Sequence, residues 1–582
     1  MRVVMAQLDF KVGDLDGNTA KILAVIAQVK REHATAPAFL VFSELAISGY
    51  SPLDLVRIPG FVRRQVEYLE RIRAATAGWN CGVVLGCITE NPGPGKKLFN
   101  SMAVFRDGRE ILRYHKALLP TYNIFDERRH FEPGTAANVI ECDGKKVAFL
   151  VCEDAWAGKS DQLYERDPVR ETMAREGKID LLITVNASPG NLRKRASRLD
   201  VYREICVRHR IPAVYVNQVG GNDGIVFDGG SFAMDAAGDI LDMTRDFAED
   251  IKMVDLAGPA RKPAYLIPEE AYTYGQLKLG LNDYVAKTVF QGLVIGESGG
   301  IDSAVVTAIA VDALGPERVI AITMPSRISS EGSVKDSQVL CDNLGVRLFN
   351  CPIGDQNRAF MDVFDRTFQG TGLESIDGKR LTEQNTQSRI RGQILMGFSN
   401  RYGHLVLNTG NKSELSVGYF TLGGDSVGGI AILGDLFKMQ VYRLARYYNA
   451  VHGRELIPAA ILDKEPSAEL EPGQVDSRDL PTYPVLDALL KLYVEHPDLP
   501  AEEYRACREL LDANCDPETI DRILRLVTRN EFKRAVIPMC IHVNTVAFGF
   551  GWNMPIAQGY VPDRKALERR GATVGAGMGT GK

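Results

Sequence analysis

At 582 residues the chain is long enough for two or more domains, each with its own core. Its 45% apolar and 25% charged residues are ordinary for soluble globular protein, and a net charge of −5 leaves no basic footprint for nucleic acid. No apolar run reaches the roughly 18 to 20 residues that span a bilayer, and ten cysteines without a Cys-x-x-Cys pair argue against structural zinc or a disulfide scaffold. The first residues, Met1-Arg2-Val3-Val4-Met5-Ala6-Gln7, read as a strand rather than a signal peptide, so a reducing cytoplasm is the expected compartment.

Apolar runs at 3–10, 39–42, 82–88, 147–151, 181–185 and 213–216 predict strands, and helical periodicity covers 18–32 and 62–76. Many strands with fewer helices predict a layered α/β domain. Turn signals at Asp228-Gly229-Gly230 and Ala237-Gly238-Asp239 fit a closing meander. A stretch with proline and charge predicts a linker over 256–270, which makes 1–255 one domain. The second half alternates more regularly: strand 293–295, helix 301–314, strand 319–323, helix 333–344, strand 346–350, helix 386–402 and strand 405–407. That pattern predicts a doubly wound parallel sheet over 271–560, with ligands at the carboxyl ends of its strands. Residues 561–582 remain as a tail, and the Gly-rich end at 571–582 is expected to be disordered.

Three side chains in the first half stand at or just past strand ends: Glu44 in FSELAISGY, Lys116 in YHKALLP and Cys152 in FLVCEDAW. A thiolate can attack an amide carbonyl, a carboxylate can take the thiol proton, and an ammonium can stabilise the oxyanion. Each alone has an ordinary reading as a buried small side chain or a solvated charge. Together with their flanks they resemble the nitrilase superfamily and its Glu-Lys-Cys triad. Tyr114-His115-Lys116 and the string from Leu119 to Glu127 resemble its glutaminase branch, as does Asn217-Gln218-Val219-Gly220-Gly221-Asn222-Asp223. The resemblance implies an α-β-β-α sandwich with Glu44, Lys116 and Cys152 as the reacting groups. It also implies glutamine contacts from Tyr122, Ser188 and Lys194, and a second glutamate, Glu127, that orients the site.

The string Ser298-Gly299-Gly300-Ile301-Asp302-Ser303 follows the apolar run 292–296 and opens a helix. Unpaired backbone N–H groups and the helix dipole favour an anion there, and two glycines allow close approach of phosphate oxygens. A carboxylate beside phosphates makes sense mainly if Asp302 holds Mg²⁺. The string lacks the Walker lysine. It resembles the pyrophosphate loop of ATP pyrophosphatases, which split ATP into AMP and pyrophosphate.

Met324-Pro325-Ser326-Arg327, Thr382 to Arg391 and Asn408 to Glu414 supply further polar groups near the ends of strands or the start of a helix. These strings, with those at 418–425, 464–470, 480–483 and 529–534, resemble NAD synthetases. The resemblance implies ATP contacts from Gly296, Ser298, Gly299, Gly300, Ile301, Asp302, Ser303 and Thr409. It implies deamido-NAD contacts from Asn385, Glu414, Tyr419, Phe420, Thr421, Leu422 and Lys533, and magnesium at Asp302 and Glu414. The whole chain thus resembles the family of glutamine-dependent NAD synthetases. That resemblance implies glutamine, ATP and deamido-NAD as substrates and at least a dimer, with neither nucleic acid nor membrane as partner.

The chain departs from the family pattern in three places. Glu297 stands where an apolar residue is usual, 535–539 lacks the expected Arg-Gln-x-Pro-Pro ending, and 548–556 carries Trp552 and Asn553 where arginines are favoured. Two like charges about 5 Å apart cost roughly 3 kcal/mol at an effective dielectric near 20. Glu297→Leu is therefore expected to tighten ATP binding or raise turnover, unless Glu297 points into solvent. Two alternatives stay open at this level: an amidotransferase with another acid substrate, and a nucleotide-binding protein whose synthetase half is impaired.

Overall fold

The computed structural model describes residues 1–33, 35–158, 164–261, 266–372, 380–467, 469–471, 473–496 and 499–568. The expected disorder at 571–582 lies outside them. The chain divides into two units, Met1–Val289 with Ile541–Val543, and Phe290–Cys540 with the residues after Val543.

The strands of the first unit are β1 (Arg2–Gln7), β2 (Phe39–Val41), β3 (Gly82–Glu90), β4 (Leu98–Arg106), β5 (Arg109–His115), β6 (Val139–Cys142), β7 (Lys145–Val151), β8 (Leu181–Asn186), β9 (Ala213–Asn217), β10 (Val219–Asn222), β11 (Ile225–Asp228), β12 (Phe232–Met234), β13 (Ile240–Met243) and β14 (Asp250–Asp255). They form two six-stranded sheets, ordered β14-β1-β2-β3-β4-β5 and β13-β12-β9-β8-β7-β6, and a β10-β11 hairpin.

Alternation along the strands decides the layers. Val3 and Met5 of β1, Val41 of β2 and Val84 of β3 share a core with Phe149 of β7, Ile183 of β8 and Val214 of β9. There the Phe39 and Phe149 rings meet edge-on at 5.7 Å. The intervening Val4, Ala6, Leu40, Val83 and Leu85 face the opposite way. They pack on Ile22 and Ile26 of α1 (Leu15–Glu32) and Leu69 and Ile72 of α2 (Phe61–Ala75). The second sheet carries α3 (Pro168–Glu176) and α4 (Lys194–His209), with Tyr202 of α4 edge-on to Tyr215 and Phe232. This is the expected α-β-β-α sandwich.

Helix α1 begins before the predicted residue 18 because the Asp14 carboxylate accepts the Gly17 N–H at 2.9 Å and caps it. The first strand is shorter than predicted and ends at Gln7. Strand β14 closes antiparallel on β1 with Arg2 opposite Asp255. Helix α5 (Glu269–Lys287) belongs to this unit and lies against β10.

The second unit holds β15 (Leu293–Gly296), β16 (Val319–Thr323), β17 (Arg347–Asn350), β18 (Leu405–Asn408), β19 (Ile430–Ala431) and β20 (Met539–Cys540). They pair in parallel in the order β17-β16-β15-β18-β19-β20. The direction of winding reverses between β15 and β18, so a crevice opens at their carboxyl ends. Its helices are α6 (Ile301–Leu314), α7 (Glu331–Leu344), α8 (Gly354–Phe368), α9 (Arg380–Tyr402), α10 (Lys412–Val417), α11 (Lys438–His452), α12 (Ala459–Asp463), α13 (Tyr483–Val494), α14 (Ala501–Asn514), α15 (Pro517–Arg529) and α16 (Glu531–Arg534). Leu486, Leu490, Leu511, Ile523 and Leu524 of α13, α14 and α15 form a separate helical core that the sequence reading leaves unplaced.

Candidate active sites

In the first unit, Cys152 stands at the end of β7, where the chain turns into a short 3-10 helix, Cys152–Ala155. Its φ of 45° is in the left-handed region, which costs energy for a side chain with a Cβ and is held by the surrounding bonds. Asp154 supplies those bonds. One of its oxygens accepts the N–H groups of Ala117 (3.0 Å) and Leu118 (2.8 Å), and the other accepts Val151 N–H (3.1 Å) and Tyr114 O–H (2.9 Å). The cysteine turn is thereby tied to the segment that carries Lys116. Burial pushes the Asp154 carboxyl up to about 6, against the pull of those donors.

Lys116, only 1% exposed, bonds Glu44 Oε1 at 2.8 Å and Glu127 Oε1 at 2.6 Å. Asn100 Nδ2 donates to the same two carboxylates at 2.7 and 3.2 Å, and Tyr50 O–H donates to Glu127 at 2.8 Å. The second Glu44 oxygen accepts Ala187 N–H at 3.0 Å. Burial works against the Lys116 charge, but Glu127 and Glu44 more than offset it and hold the ammonium well above its ordinary range. Burial raises the Glu127 carboxyl, with Lys116 opposing and Glu44 adding. Burial also raises the Cys152 thiol far above its usual value; the Glu44 charge adds to this and Lys116 opposes it. The resting cysteine is a neutral thiol within the field of a carboxylate and an ammonium.

Around it lie groups of opposite sign. Glu153, beside Cys152, accepts the Tyr122 hydroxyl at 3.1 Å and the Tyr164 hydroxyl at 2.9 Å. The Lys194 ammonium sits 3.8 Å over the Trp156 ring, and burial lowers its affinity for a proton while Glu153 and Cys152 raise it. Ser188 is buried one residue past Ala187, and its carbonyl accepts Arg198 Nη2 at 3.3 Å and Asn217 Nδ2 at 3.1 Å.

In the second unit, the turn after β15 leads straight into α6, whose N-cap Gly300 offers no side-chain cap. At Gly299, φ is 74° and an added Cβ would fall 2.3 Å from the Ser333 carbonyl oxygen, so only glycine fits. Ser298 N–H reaches Ser303 Oγ at 3.3 Å, and Gly300 N–H reaches Ser298 Oγ at 3.3 Å.

Asp302 and Glu414 come together on the Lys438 ammonium. Lys438 bonds Asp302 Oδ2 closely and Glu414 Oε1 at 3.2 Å, while Asn411 Nδ2 donates to Asp302 Oδ1 at 3.0 Å. Burial opposes the Lys438 charge, but the two carboxylates hold it well above its ordinary range. The pair is an all-oxygen donor set of the kind magnesium prefers, and burial raises the Glu414 carboxyl to about 7 while Lys438 opposes it. Among the described residues no cluster of three or more metal-capable side chains occurs.

Thr409 follows β18, half-buried at the crevice. The remaining predicted residues gather along 418–425. Thr421 Oγ1 donates to Asn385 Oδ1 at 2.8 Å, and Lys533 Nζ donates to the carbonyls of Gly418 (2.7 Å) and Phe420 (2.8 Å). The Leu422 carbonyl accepts Arg389 Nε at 3.1 Å, and Tyr419 N–H donates to the Glu414 carbonyl at 2.9 Å. The altered segment has its own packing: Trp552 Nε1 donates to Glu531 at 3.1 Å, and its ring meets Tyr493 and Phe548 edge-on.

The carbon-nitrogen hydrolase family model matches residues 2–261, and the NAD synthase model matches residues 273–537. The chain is 36% identical to a glutamine-dependent NAD(+) synthetase of Thermotoga maritima, covering 96% of this chain and 98% of that one. A glutamine-dependent NAD(+) synthetase of Synechocystis is 37% identical, covering 96% and 99%. The chain belongs to the glutamine-dependent NAD(+) synthetases.

A solved glutamine-dependent NAD+ synthetase from Acinetobacter baumannii, in complex with adenosine diphosphate, is 33% identical with a TM-score of 0.71 and covers 97% of this chain and 99% of that chain. The Cytophaga hutchinsonii glutamine-dependent NAD(+) synthetase, 19% identical with a TM-score of 0.78 over 96% of this chain and 97% of that one, shows the shared fold. As a glutamine-dependent NAD(+) synthetase, the chain is an ATP-dependent ligase that forms a C–N bond with glutamine as amide donor.

Several members of the two clusters were not singled out by sequence reasoning. Asn100 and Lys438 sit in strings without a recognisable pattern, whereas Tyr50 closes the FSELAISGY string that carries Glu44 and could have been found there. Glu153 and Asp154 were visible only as neighbours of Cys152. Two consecutive acidic residues directly after a buried strand are the one available signal.

Proposed function

We propose that the first-unit cluster hydrolyses glutamine and that the turn after β15 holds the phosphates of ATP. The observation that carries this reading is the meeting of Glu44 and Lys116, 72 residues apart in sequence, beside the strained Cys152 turn. Glu44 takes the Cys152 proton as sulfur attacks the side-chain amide carbon, and Lys116 faces the developing oxyanion. Glu44 passes that proton to the leaving nitrogen, ammonia departs as the thioester forms, and water then cleaves the thioester to glutamate and the free thiol. Glu127 and Asn100 hold Lys116 and Glu44 in place. Glu153 and Lys194 have the opposite signs needed for the α-ammonium and α-carboxylate of a free amino acid, and Tyr122 and Ser188 complete the pocket.

In the second unit the nicotinate carboxylate of deamido-NAD attacks the α-phosphate of ATP and pyrophosphate departs. Ammonia then displaces AMP from the adenylated acid. Gly296, Ser298, Gly299, Gly300, Ile301, Ser303 and Thr409 surround the phosphates, and the free N–H groups of the α6 terminus face them. Asn385, Tyr419, Phe420, Thr421, Leu422 and Lys533 line the deamido-NAD side. Asp302 and Glu414 would hold Mg²⁺, which when bound offsets charge on the triphosphate and the leaving pyrophosphate. Lys438 keeps the two carboxylates converged.

The first unit serves as the glutaminase domain and the second as the synthetase domain; the boundary expected at 256–270 between domains 1–255 and 271–560 lies before α5, which belongs to the first unit. The protein works in the cytoplasm as a homo-oligomer. Among the described residues no helix is long and apolar enough to cross a membrane.

Asp302→Asn tests the second half of this reading. NAD formation should fall to background with either glutamine or ammonium, while glutamine hydrolysis persists at a basal rate. Full synthesis by the variant would remove Asp302 from the metal site. No synthesis from ammonium by the unaltered protein would favour the impaired-synthetase alternative.

A further inference from the structure

Glu297 has no part in the reaction described above, yet it is 1% exposed directly beneath the phosphate-binding turn. Its backbone is fixed by the sheet, with its N–H donating to the Ile322 carbonyl of β16 at 2.9 Å. Its side chain points neither into solvent nor away from the loop. One carboxylate oxygen accepts Ser303 O–H at 2.6 Å and Gly299 N–H at 3.3 Å. The other accepts Thr307 O–H at 2.8 Å. These donors come from the turn itself and the first two turns of α6.

The Ser303 hydroxyl has one hydrogen and three oxygens within reach: Glu297 Oε1 at 2.6 Å, the Gly300 carbonyl at 3.1 Å and Ser298 Oγ at 3.2 Å. The short bond to a carboxylate takes that hydrogen. Ser303 Oγ must then accept from Ser298, whose N–H lies at 3.3 Å, and Ser298 Oγ in turn accepts Gly300 N–H at 3.3 Å. A directed chain of hydrogen bonds therefore runs from Gly300 through Ser298 and Ser303 to Glu297.

We propose that Glu297 is a positioning residue for ATP: it orders the hydroxyls of the phosphate-binding turn from below and so sets the shape that receives the triphosphate. The proposal rests on the reading of this turn as the ATP site. It reverses the sequence expectation for Glu297→Leu, because leucine would remove a repulsive charge but leave three donors without their acceptor.

The bonding partners are two hydroxyls and a backbone N–H, and burial pushes the Glu297 carboxyl up to about 7 despite them. Facing it from α7 is the Cys341 thiol, which burial first and the Glu297 charge second push up, so it stays protonated near neutrality. Asp342 lies beyond Cys341, and Ser337 Oγ reaches only the Glu297 carbonyl, at 3.5 Å. The Asp302 carboxylate, on α6 itself, is bound by Lys438 and Asn411. Bound triphosphate disfavours the ionised form of Glu297, so ATP binding should weaken as pH rises through neutrality.

The test measures KM for ATP and kcat with ammonium as nitrogen source in the full-length protein. Glu297→Leu should raise KM for ATP about tenfold, with a smaller change in kcat. Glu297→Gln keeps an acceptor without the charge and should stay within about threefold of the unaltered protein at pH 7. The ratio of the unaltered KM to that of Glu297→Gln cancels the titration of ATP itself and should rise from pH 6 to pH 8. Thr307→Val, which removes one of the three bonds, should raise KM by less than Glu297→Leu and carries the test if the leucine variant does not fold.

An unchanged or lower KM in a folded Glu297→Leu would overturn the proposal. So would equal impairment by glutamine and leucine, or a pH-independent ratio. Ser298→Ala separates the two levels. If it leaves KM for ATP unchanged, the turn is not the ATP site and both readings fall; if it raises KM while the Glu297 variants do not, only the role of Glu297 falls.

Discussion

Lys116 carries one positive charge between two buried carboxylates, and each of the three depends on the others. Removing the ammonium would leave Glu44 and Glu127 sharing Asn100 with no cation between them. Like charges so placed cannot both stay ionised, and the affinity of the pair for a proton rises. Lys116→Met should therefore lower glutamine-driven NAD formation at least ~100-fold, because oxyanion stabilisation goes as well as the order of the base. The remaining rate should climb with pH as the carboxylates lose their shared proton. Ammonium-driven formation should be unaffected, and steady-state kinetics with the two nitrogen sources check both points. Retention of glutamine-driven turnover would mean that Lys116 is only a structural counter-ion.

At the scale of elements, the Cys152 turn and the Lys116 segment are separate loops that Asp154 joins. Asp154→Ala would strip the acceptor from three backbone N–H groups and one tyrosine hydroxyl. The expected result is a loss of roughly 3 kcal/mol or more of stability in the first unit, together with a lower glutamine-driven kcat. Denaturant unfolding and kinetics measure the two effects, and an unchanged kcat in a destabilised variant would show that the turn holds its shape without this tie. The turns that carry Cys152 and Ser298 were legible in the sequence because each follows a short apolar strand and has a distinctive string. The doubly wound, parallel character of the second unit's sheet is legible from the alternation of strand and helix, whereas β19 and β20, two residues each, are too short to read. Helices α13, α14 and α15 were not placed, since their apolar positions serve a local core that no motif announces. Lys438 was illegible for a different reason. It meets Asp302 across 136 residues of sequence, and only the parallel crossover that brings α11 beside α6 creates the pair. The direction of the Glu297 side chain was equally hidden. A charge next to a glycine-rich turn can face the turn's open side, the solvent or the helix beneath, and its hydroxyl partners Ser303 and Thr307 decide among them only once α6 is formed.

At the scale of the molecule, two units carry two chemistries, and the central claim is that nitrogen is released in one and used in the other. The clusters share no side chain: Glu44, Lys116, Glu127 and Cys152 lie in the first unit, and Asp302, Glu414 and Lys438 in the second. A lesion at Cys152 should thus remove one nitrogen source and spare the other, which no single-site enzyme would do. Stability offers no confusion here, because alanine removes only a small buried thiol. The decisive measurement is NAD formation by Cys152→Ala, assayed in one preparation with ATP, Mg²⁺ and deamido-NAD and with either glutamine or ammonium. Formation from glutamine should fall by ~1,000-fold or more while formation from ammonium stays within about twofold of the unaltered protein. Equal loss with both nitrogen sources in a folded variant, or persistent formation from glutamine, would contradict the account.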